Sequence, residues 1–306
     1  FCILISVGSG LFFSFGAGAA STFSGGDGSS GNPFRIATAA DLAQLATDVN
    51  GGTDYSGVYF QQTADIDLAS TLTAGFNGGK GWKQIGALTT TPFKGKYNGE
   101  GHAVSGLWIN NPSSGSATVT ADYMYAGLFG VINAAELKNL NVVIDNTNGD
   151  NAAATTQVGI RGGAVMGSVV GYATGSSKIT GCSVSALISA AIAVKSFGQR
   201  GSNYSYTGGF IGDVDSSSTV TQCASKVKTV SVYSATGGFV GLVDTSASVS
   251  QCYATGVVNI SNQYFNRAGG FAGATGMGTV KIENCFSTGS VTAAGNVGGF
   301  IRFFQL

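Results

Sequence analysis

A short glycine-rich phrase recurs along this chain of 306 residues and restricts the folds it can adopt. The clearest copy is Gly237-Gly238-Phe239-Val240-Gly241, and related copies begin at residues 126, 167, 208, 269 and 298. The resulting spacings are 41, 41, 29, 32 and 29 residues. Periods in this range are typical of solenoids, in which each unit buries its apolar face only by stacking on its neighbours.

A second phrase follows the glycine-rich copies and indicates the kind of solenoid. It consists of an aliphatic residue, two small or polar residues and another apolar residue. Its copies are Leu137-Lys138-Asn139-Leu140, Ile179-Thr180-Gly181-Cys182, Val220-Thr221-Gln222-Cys223, Val249-Ser250-Gln251-Cys252 and Ile282-Glu283-Asn284-Cys285. Such runs, separated by Gly, Ser and Asn, are typical of short strands joined by turns. A 29-residue unit, extended over roughly 95 Å, could circle a coil of three short faces. We therefore predict an all-β chain, a right-handed parallel β-helix.

The paired glycines are expected at corners of this coil. There the backbone turns sharply, often through positive φ, and passes close to the same corner of the neighbouring coils. The apolar residue that follows them should point inward and stack on its counterpart. A phosphate-binding loop is disfavoured because no helical pattern follows any copy.

Four of the five cysteines occupy one position of the repeat, Cys2 being the exception. The predicted thiol ladder consists of Cys182, Cys223, Cys252 and Cys285. Successive strands lie about 4.8 Å apart, whereas a disulfide needs its Cβ atoms about 3.8 Å apart. We therefore expect free, buried thiols. A straight ladder cannot surround one zinc ion tetrahedrally, so we expect neither a metal nor a cofactor.

Charge and composition exclude some partners. Charged residues make up 10% of the chain, with 15 Lys and Arg against 15 Asp and Glu. This balance provides no basic field for nucleic acid. The 49 glycines come without a collagen triplet and with abundant aliphatic residues, which disfavours disorder.

The chain divides into four segments by composition. Residues 1–20 are uncharged and apolar and end in small residues, as in a secretory signal peptide; a membrane anchor or a strand docked on the solenoid are the alternatives. Residues 21–32 form a Ser/Gly linker. Residues 33–125 are predicted to contain a cap and the first coils, and residues 126–306 the repeat coils.

A short amphipathic helix is predicted near the start of the third segment. Thr38 and Asp41 have the spacing of an N-cap pair. The apolar positions of one helical face are Leu42, Leu45, Ala46 and Val49. Since the end of an open solenoid exposes core and unpaired strand groups, this helix is expected to cap it.

The order of motifs resembles that of bacterial surface and secreted proteins with GLUG repeats. The motifs are Asp65-Ile66-Asp67, Trp82-Lys83-Gln84-Ile85-Gly86, a glycine-rich stretch at 93–107, Gly127-Leu128-Phe129-Gly130 and the later Gly-Gly-Phe copies. The resemblance covers Phe34 to Phe300 and implies a secreted or cell-surface protein of adhesin type. GLUG repeats also occur beside immunoglobulin A metalloproteases, but nothing here resembles the zinc site of those proteases.

The candidates for catalysis are few. His102 is the only histidine, whereas a His-Glu-x-x-His metalloprotease needs two, so a structural role at a turn is expected. Asp65 with Asp67, and Asp213 with Asp215, have the spacing of carboxylates that share one strand face. Such pairs could cleave a glycosidic bond or bind calcium. However, Asp213 and Asp215 precede a serine turn, and no third carboxylate is expected on an adjoining rung. We expect no enzyme, with a polysaccharide-cleaving enzyme as the alternative.

Binding is the preferred function. The two 41-residue units exceed the shorter ones, and insertions in solenoids form loops that often bind ligands. The candidate ligand-binding residues are Lys195, Arg200, Tyr204, Tyr206, Tyr123 and Tyr125. We expect these tyrosines to bind glycans or extracellular proteins; a loop packed on its own coil is the alternative. The uncapped last phrase, Gly298-Gly299-Phe300, predicts either end-to-end self-association or a longer array. The predicted function is thus a non-catalytic adhesin or scaffold module.

Overall fold

The computed structural model describes residues 23–69, 76–110, 124–147, 158–196, 205–232, 234–261 and 267–301. Its helices are α1 (Ala39–Asn50) and a 3-10 helix at Phe76–Gly79. The first strands are β1 (Phe34–Ile36), β2 (Tyr59–Gln62), β3 (Ile66–Asp67), β4 (Lys96–Asn98), β5 (Ala103–Leu107), β6 (Ile109–Asn110), β7 (Tyr125–Ala126), β8 (Phe129–Asn133), β9 (Glu136–Lys138), β10 (Asn141–Ile144) and β11 (Val158–Arg161). Next come β12 (Val165–Met166), β13 (Val170–Thr174), β14 (Lys178–Thr180), β15 (Ser183–Ala186), β16 (Ile192–Ser196), β17 (Ser205–Gly208), β18 (Ile211–Val214), β19 (Thr219–Thr221), β20 (Ala224–Ser225) and β21 (Lys228–Ser231). The last are β22 (Ser234–Gly237), β23 (Val240–Val243), β24 (Ser248–Ser250), β25 (Tyr253–Ala254), β26 (Val258–Ile260), β27 (Arg267–Gly269), β28 (Ala272–Thr275), β29 (Lys281–Glu283), β30 (Phe286–Ser287), β31 (Val291–Ala293) and β32 (Asn296–Gly298).

These strands form five parallel sheets that run along the axis of a coil. Sheet I has the order β1-β2-β4-β9-β14-β19-β24-β29, and sheet II the order β3-β5-β10-β15-β20-β25-β30. Sheet III is β6-β11-β16-β21-β26-β31, sheet IV is β7-β12-β17-β22-β27-β32, and sheet V is β8-β13-β18-β23-β28. Each neighbour in a sheet therefore comes from the next coil, which confirms the predicted parallel β-helix.

The number of faces differs from the expectation. One coil, for example β22 to β26, contains one strand of each sheet, so the coil has five strands where three faces were expected. One of the two additional strands arises at the glycine-rich phrase. Gly238 and Phe239 lie at a bend between β22 and β23, which belong to sheets IV and V, so one apparent face is two sheets.

The core is built from repeated positions stacked in register. Phe210, Phe239, Phe271 and Phe300 stack one above another, with ring centroids 4.8, 4.9 and 5.0 Å apart. This arrangement confirms that the aromatic residue of the phrase points inward. In the later coils of sheet I the core row is formed by the aliphatic residues that open the second phrase, such as Val220 paired with Val249.

The paired glycines are required for close approach and not for positive φ. None of Gly237, Gly238 and Gly241 has a positive φ. A Cβ added to Gly238 would lie 2.3 Å from the carbonyl oxygen of Gly270 in the next coil, and one on Gly241 would lie 2.5 Å from the amide nitrogen of Thr207. The glycines thus allow sheets IV and V to pack backbone against backbone.

Left-handed residues occur instead at the third position of the second phrase, between sheets I and II. The φ values there are 51° at Asn139, 64° at Gly181, 57° at Gln222, 54° at Gln251 and 54° at Asn284. The turn is therefore made by one left-handed residue per coil, and this conformation is strained wherever the residue is not glycine.

Helix α1 begins with the predicted capping box, in which Thr38 and Asp41 bond each other's backbone amides. Its face of Leu42, Leu45, Ala46 and Val49 is buried in the core. Because α1 follows β1, the edge strand of sheet I, it covers apolar core at that end. No described helix is long and apolar enough to span a membrane; residues 1–20 lie outside the described residues.

Candidate functional site

Two rows of side chains project outward from sheet I, on either side of its buried core row. One row consists of Tyr59, Lys96, Glu136, Lys178, Thr219, Ser248 and Lys281. The other consists of Arg35, Gln61, Asn98, Lys138, Thr180, Thr221, Ser250 and Glu283. Their alternation with buried residues places both rows on the outer surface, as in any half-buried strand.

A groove of about 390 Å³ lies where the loop at Ser30, Gly31 and Pro33 rises beside strands β2, β4 and β9. We call it the sheet I groove. Its other lining residues are Tyr59, Phe60, Gln61, Lys96, Tyr97, Asn98, Glu100, Glu136 and Lys138. Phe60 and Tyr97 are core residues, whereas the remaining strand residues belong to the two outer rows. The groove therefore has polar walls above an apolar base.

An ammonium and a phenol are held together in the groove. Lys96 Nζ donates a hydrogen bond of 3.0 Å to the hydroxyl of Tyr59 and lies 4.6 Å from the centroid of its ring. The hydrogen bond to Tyr59 raises the pKa of Lys96. The contact orders both side chains before any ligand binds.

Glu100 orders two amide side chains. Gln61 Nε2 donates to Glu100 Oε1 at 3.3 Å, and Asn98 Nδ2 donates to the same oxygen. The backbone amide of Glu100 donates to Asn98 Oδ1 at 3.1 Å, and Asn139 Nδ2 donates to that oxygen at 3.3 Å. The groove thus presents a fixed amide pair beside a carboxylate.

Glu136 and Lys138 flank the buried Leu137 in β9 and complete the wall. Within the described ranges, neither side chain has a hydrogen bond or a salt bridge within 4 Å, and both are half-buried; the carboxylate of Glu136 interacts with Lys96 through its charge alone. Each could therefore bond to a ligand without first losing a protein partner.

The structure describes three of the six residues predicted to bind ligand, namely Lys195, Tyr206 and Tyr125. Arg200, Tyr204 and Tyr123 lie outside the described residues. Lys195 lies in strand β16. Tyr206 lies in β17 and is half-buried.

Tyr125 was expected to be exposed, and this expectation is wrong. It is 4% exposed in strand β7, and its ring stacks on that of Tyr172 at 5.6 Å. The reason is that its row continues through Val165 and Tyr206 of sheet IV, and these residues pack against sheet V.

His102 lies at the end of a turn and contacts Asp65 of the neighbouring coil. His102 Nδ1 lies 3.2 Å from Asp65 Oδ1, and the amide of Ala103 donates to the same oxygen at 2.9 Å. These bonds, that from Ala103 foremost, lower the pKa of Asp65. The amide of His102 also donates to the carbonyl oxygen of Gly99 at 2.8 Å, which closes the turn.

The other candidate carboxylates are also structural. Asp67 accepts the amide of Ala69 at 2.9 Å. Asp213 was expected in a turn but lies within β18 and is 5% exposed; only Asp215 follows the strand. Asp215 accepts the hydroxyl of Tyr172 at 2.8 Å. Among the described residues, no group of three or more His, Cys, Asp or Glu side chains is placed to hold a metal ion.

The cysteines stack along the coil with free thiols. The amide of Cys182 donates to Cys223 Sγ at 3.4 Å, that of Cys223 to Cys252 Sγ at 3.3 Å, and that of Cys252 to Cys285 Sγ at 3.4 Å. Burial raises the pKa of the Cys223 thiol, which is therefore protonated at neutral pH. We call these four residues the cysteine ladder.

The sheet I groove was missed by sequence reasoning, which searched the longest units for loops. A signal was present in the triplets Tyr59-Phe60-Gln61, Lys96-Tyr97-Asn98 and Glu136-Leu137-Lys138. Each places a large apolar residue between two polar ones. Parallel pairing then gathers the polar residues on one outer face.

The parallel pairing of the strands defines the class of fold, a parallel β-helix of repeated coils. The family model "The GLUG motif" matches residues 232–261, which span strands β22 to β26, so this coil is a GLUG motif. The chain is 34% identical over 155 residues to a "Putative Gly-rich membrane protein" of Evansella cellulosilytica, covering 50% of this chain and 16% of that protein. It is 28% identical over 220 residues to "Halomucin" of Haloquadratum walsbyi, covering 65% of this chain and 2% of that protein.

The chain therefore spans less than a fifth of the length of these relatives. Among solved structures, the chain is similar to a "putative immunoglobulin A1 protease" from Bacteroides ovatus. The TM-score is 0.49 and the identity 17%, with 90% of this chain and 80% of the other covered.

Proposed function

We propose that this chain is a non-catalytic repeat module of a secreted or surface-exposed protein and that it binds carbohydrate in the sheet I groove. The GLUG motif and relatives named as a Gly-rich membrane protein and halomucin support a surface module. The observation that supports the binding site is the ordered amide pair of Gln61 and Asn98 beside Glu136 and Lys138, whose side chains make no hydrogen bond within the described ranges.

The charges of the groove favour a neutral ligand. Two ammonium groups, Lys96 and Lys138, face two carboxylates, Glu100 and Glu136, so neither an anion nor a cation is attracted overall. Adjacent donors and acceptors on a concave surface match the vicinal hydroxyls of a sugar, each of which donates and accepts. We therefore assign the groove to a neutral oligosaccharide.

The contacts of the four aspartates that the sequence offers as catalytic candidates disfavour cleavage of such a ligand. Asp65 and Asp67 accept hydrogen bonds from backbone amides, Asp215 accepts one from the hydroxyl of Tyr172, and Asp213 is buried within a strand. A general acid and a general base must instead reach the glycosidic oxygen and a water. None of these four carboxylates lines the sheet I groove, so they do not act on the ligand that we propose is bound there.

The test is a glycan array followed by calorimetry with the best neutral glycan. The double variant Glu136→Ala with Lys138→Ala should bind at least about tenfold more weakly, since a hydrogen bond to a charged group contributes about 1.5–3 kcal/mol. The matched control is Lys178→Ala with Thr180→Ala, the paired residues of the next coil, which do not line the groove. Its affinity should be unchanged, and both variants should retain the wild-type melting temperature.

Two results would contradict the proposal. The absence of any neutral glycan that binds would refute the ligand class. Unchanged binding by the groove variant, together with a loss in Tyr204→Ala and Tyr206→Ala, would transfer the site to the connection between β16 and β17.

A further inference from the structure

The cysteine ladder brings four nucleophilic side chains into one row, and the proposed glycan groove does not use them. The residues on either side of each cysteine pair with their counterparts in the next coil. Thr180 pairs with Thr221 in sheet I, and Ser183 pairs with Ala224 in sheet II. Adjacent sulfurs therefore follow the strand spacing of about 4.8 Å. Cys182, Cys223 and Cys252 are each 1% exposed, whereas Cys285 is half-buried.

The thiols have no covalent partner, but they have ordered hydrogen bonds. Cys223 Sγ donates to the carbonyl oxygen of Thr221 at 3.2 Å, and Cys252 Sγ donates to that of Ser250 at 3.1 Å. The same sulfurs accept backbone amides from the preceding coil at 3.4 and 3.3 Å. Amide donors of this kind stabilise a thiolate once the proton is lost, because they point at the sulfur where the negative charge resides.

The spacing suits a cation bound by two sulfurs. No group of three or more potential ligands is assembled among the described residues, so a tetrahedral zinc site is absent from that part of the chain. A metal–sulfur bond is about 2.3 Å, so an ion midway between two thiolates needs sulfurs about 4.6 Å apart, close to the strand spacing. Soft thiolate ligands select copper(I) and related soft cations.

We propose that adjacent thiols of the cysteine ladder, Cys252 and Cys285 first, bind a soft monovalent cation of the copper(I) and silver(I) class. Two S–H bonds break, two metal–sulfur bonds form and two protons pass to solvent, with no change of oxidation state. The pair carries one net negative charge, which the amides directed at the sulfurs offset. Cys285 gives access from solvent, whereas the inner pairs are enclosed.

Silver(I) is the probe, and the thiol of Cys2 is removed from every protein by Cys2→Ser. The protein is titrated in unbuffered solution to count released protons, and the silver retained after gel filtration is measured by mass spectrometry. At one equivalent, two protons per ion should be released, and X-ray absorption should show two sulfur neighbours. Cys252→Ala and Cys285→Ala should each weaken retention at least tenfold.

The matched control is Cys182→Ala, which removes a thiol from the other end of the ladder and should retain the first equivalent. Circular dichroism of each variant before titration verifies the fold; where Cys252→Ala does not fold, Cys252→Ser replaces it. Release of one proton per ion, or equal retention by Cys252→Ala and Cys182→Ala, would overturn the proposal in favour of single-thiol binding. Retention of no silver would overturn it outright. The glycan groove is not involved in any of these readouts.

Discussion

Replacing Gly238 by alanine tests whether close approach explains the paired glycines. The new Cβ would lie 2.3 Å from the carbonyl oxygen of Gly270, whereas ordinary contact begins at 3.4 Å. The two coils would have to separate by about 1 Å at this corner. That movement disrupts two backbone hydrogen bonds, from the amide of Gly209 to the carbonyl oxygen of Gly237 and from the amide of Gly238 to that of Gly269. Each contributes about 1 kcal/mol to stability, and overpacking costs about 1–3 kcal/mol more. We expect Gly238→Ala to lower the free energy of unfolding by about 3–5 kcal/mol.

The measurement is urea unfolding followed by circular dichroism, with Gly299→Ala as the matched control. Gly299 occupies the same place in its phrase, yet a Cβ there would meet no heavy atom within 4 Å. Its substitution should be neutral or stabilise by about 0.4–1 kcal/mol through the unfolded chain. A Gly238→Ala protein within about 0.5 kcal/mol of wild type, or equal effects of the two substitutions, would refute the close-approach argument.

Two further predictions concern backbone strain and pH. At the left-handed turn, Gln251→Gly should raise the free energy of unfolding by about 1 kcal/mol and Gly181→Ala should lower it by about 1 kcal/mol, both measured in urea. Effects of the same sign would contradict the strain argument. At the helix cap, burial of Asp41 disfavours ionisation, but hydrogen bonds from Ser24, Ala37 and Thr38 outweigh it and lower the pKa of Asp41. A lowered pKa adds stability above the ordinary value of 3.8, and that stability is lost as the pH falls through the lowered value. Melting temperatures from pH 6 to pH 2 should show this loss, which Asp41→Asn should reduce; an identical profile in the variant would contradict it.

The stacked coil was predictable because period and residue type repeat together. Phe239 and Cys252 recur at constant places in the repeat, and parallel pairing is the arrangement that brings such positions into register. The cap was predictable for a different reason, since the spacing of Thr38 and Asp41 is a local signal that needs no tertiary contact.

The number of sheets was not predictable by the same means. Strands of two to five residues are too short for their ends to be placed from residue preference, because one bend changes the number of sheets. The expectation that the paired glycines often adopt positive φ is wrong, because residue type alone does not show which corner has a left-handed backbone. Gln251 makes the left-handed turn although glutamine is unfavourable there, whereas Gly241 has an ordinary φ. Only the coordinates of neighbouring coils distinguish a glycine needed for its φ from one needed for its size.

The candidate site depends on side-chain contacts between neighbouring coils. The residues that make these contacts do not recur at a fixed spacing in the sequence. Lys96 contacts Tyr59, and Gln61 contacts Glu100 in the turn after β4, because β2 and β4 are neighbours in sheet I. Along the chain, 37 and 39 residues separate these partners. The ligand-binding role of Tyr204 and Tyr206, and end-to-end self-association, stay predictions.

The division between inner and outer rows indicates where the binding properties of such a coil are encoded. In sheet I the core row changes only among apolar residues, from Phe60 and Tyr97 to Leu137. The outer row beside it changes at the same steps from Tyr59 to Lys96 and then to Glu136, so its charge changes from one coil to the next. Because outer side chains do not enter the core, substitutions there alter the surface with little effect on coil stacking. A polar groove can therefore form on any run of coils whose outer rows supply complementary groups.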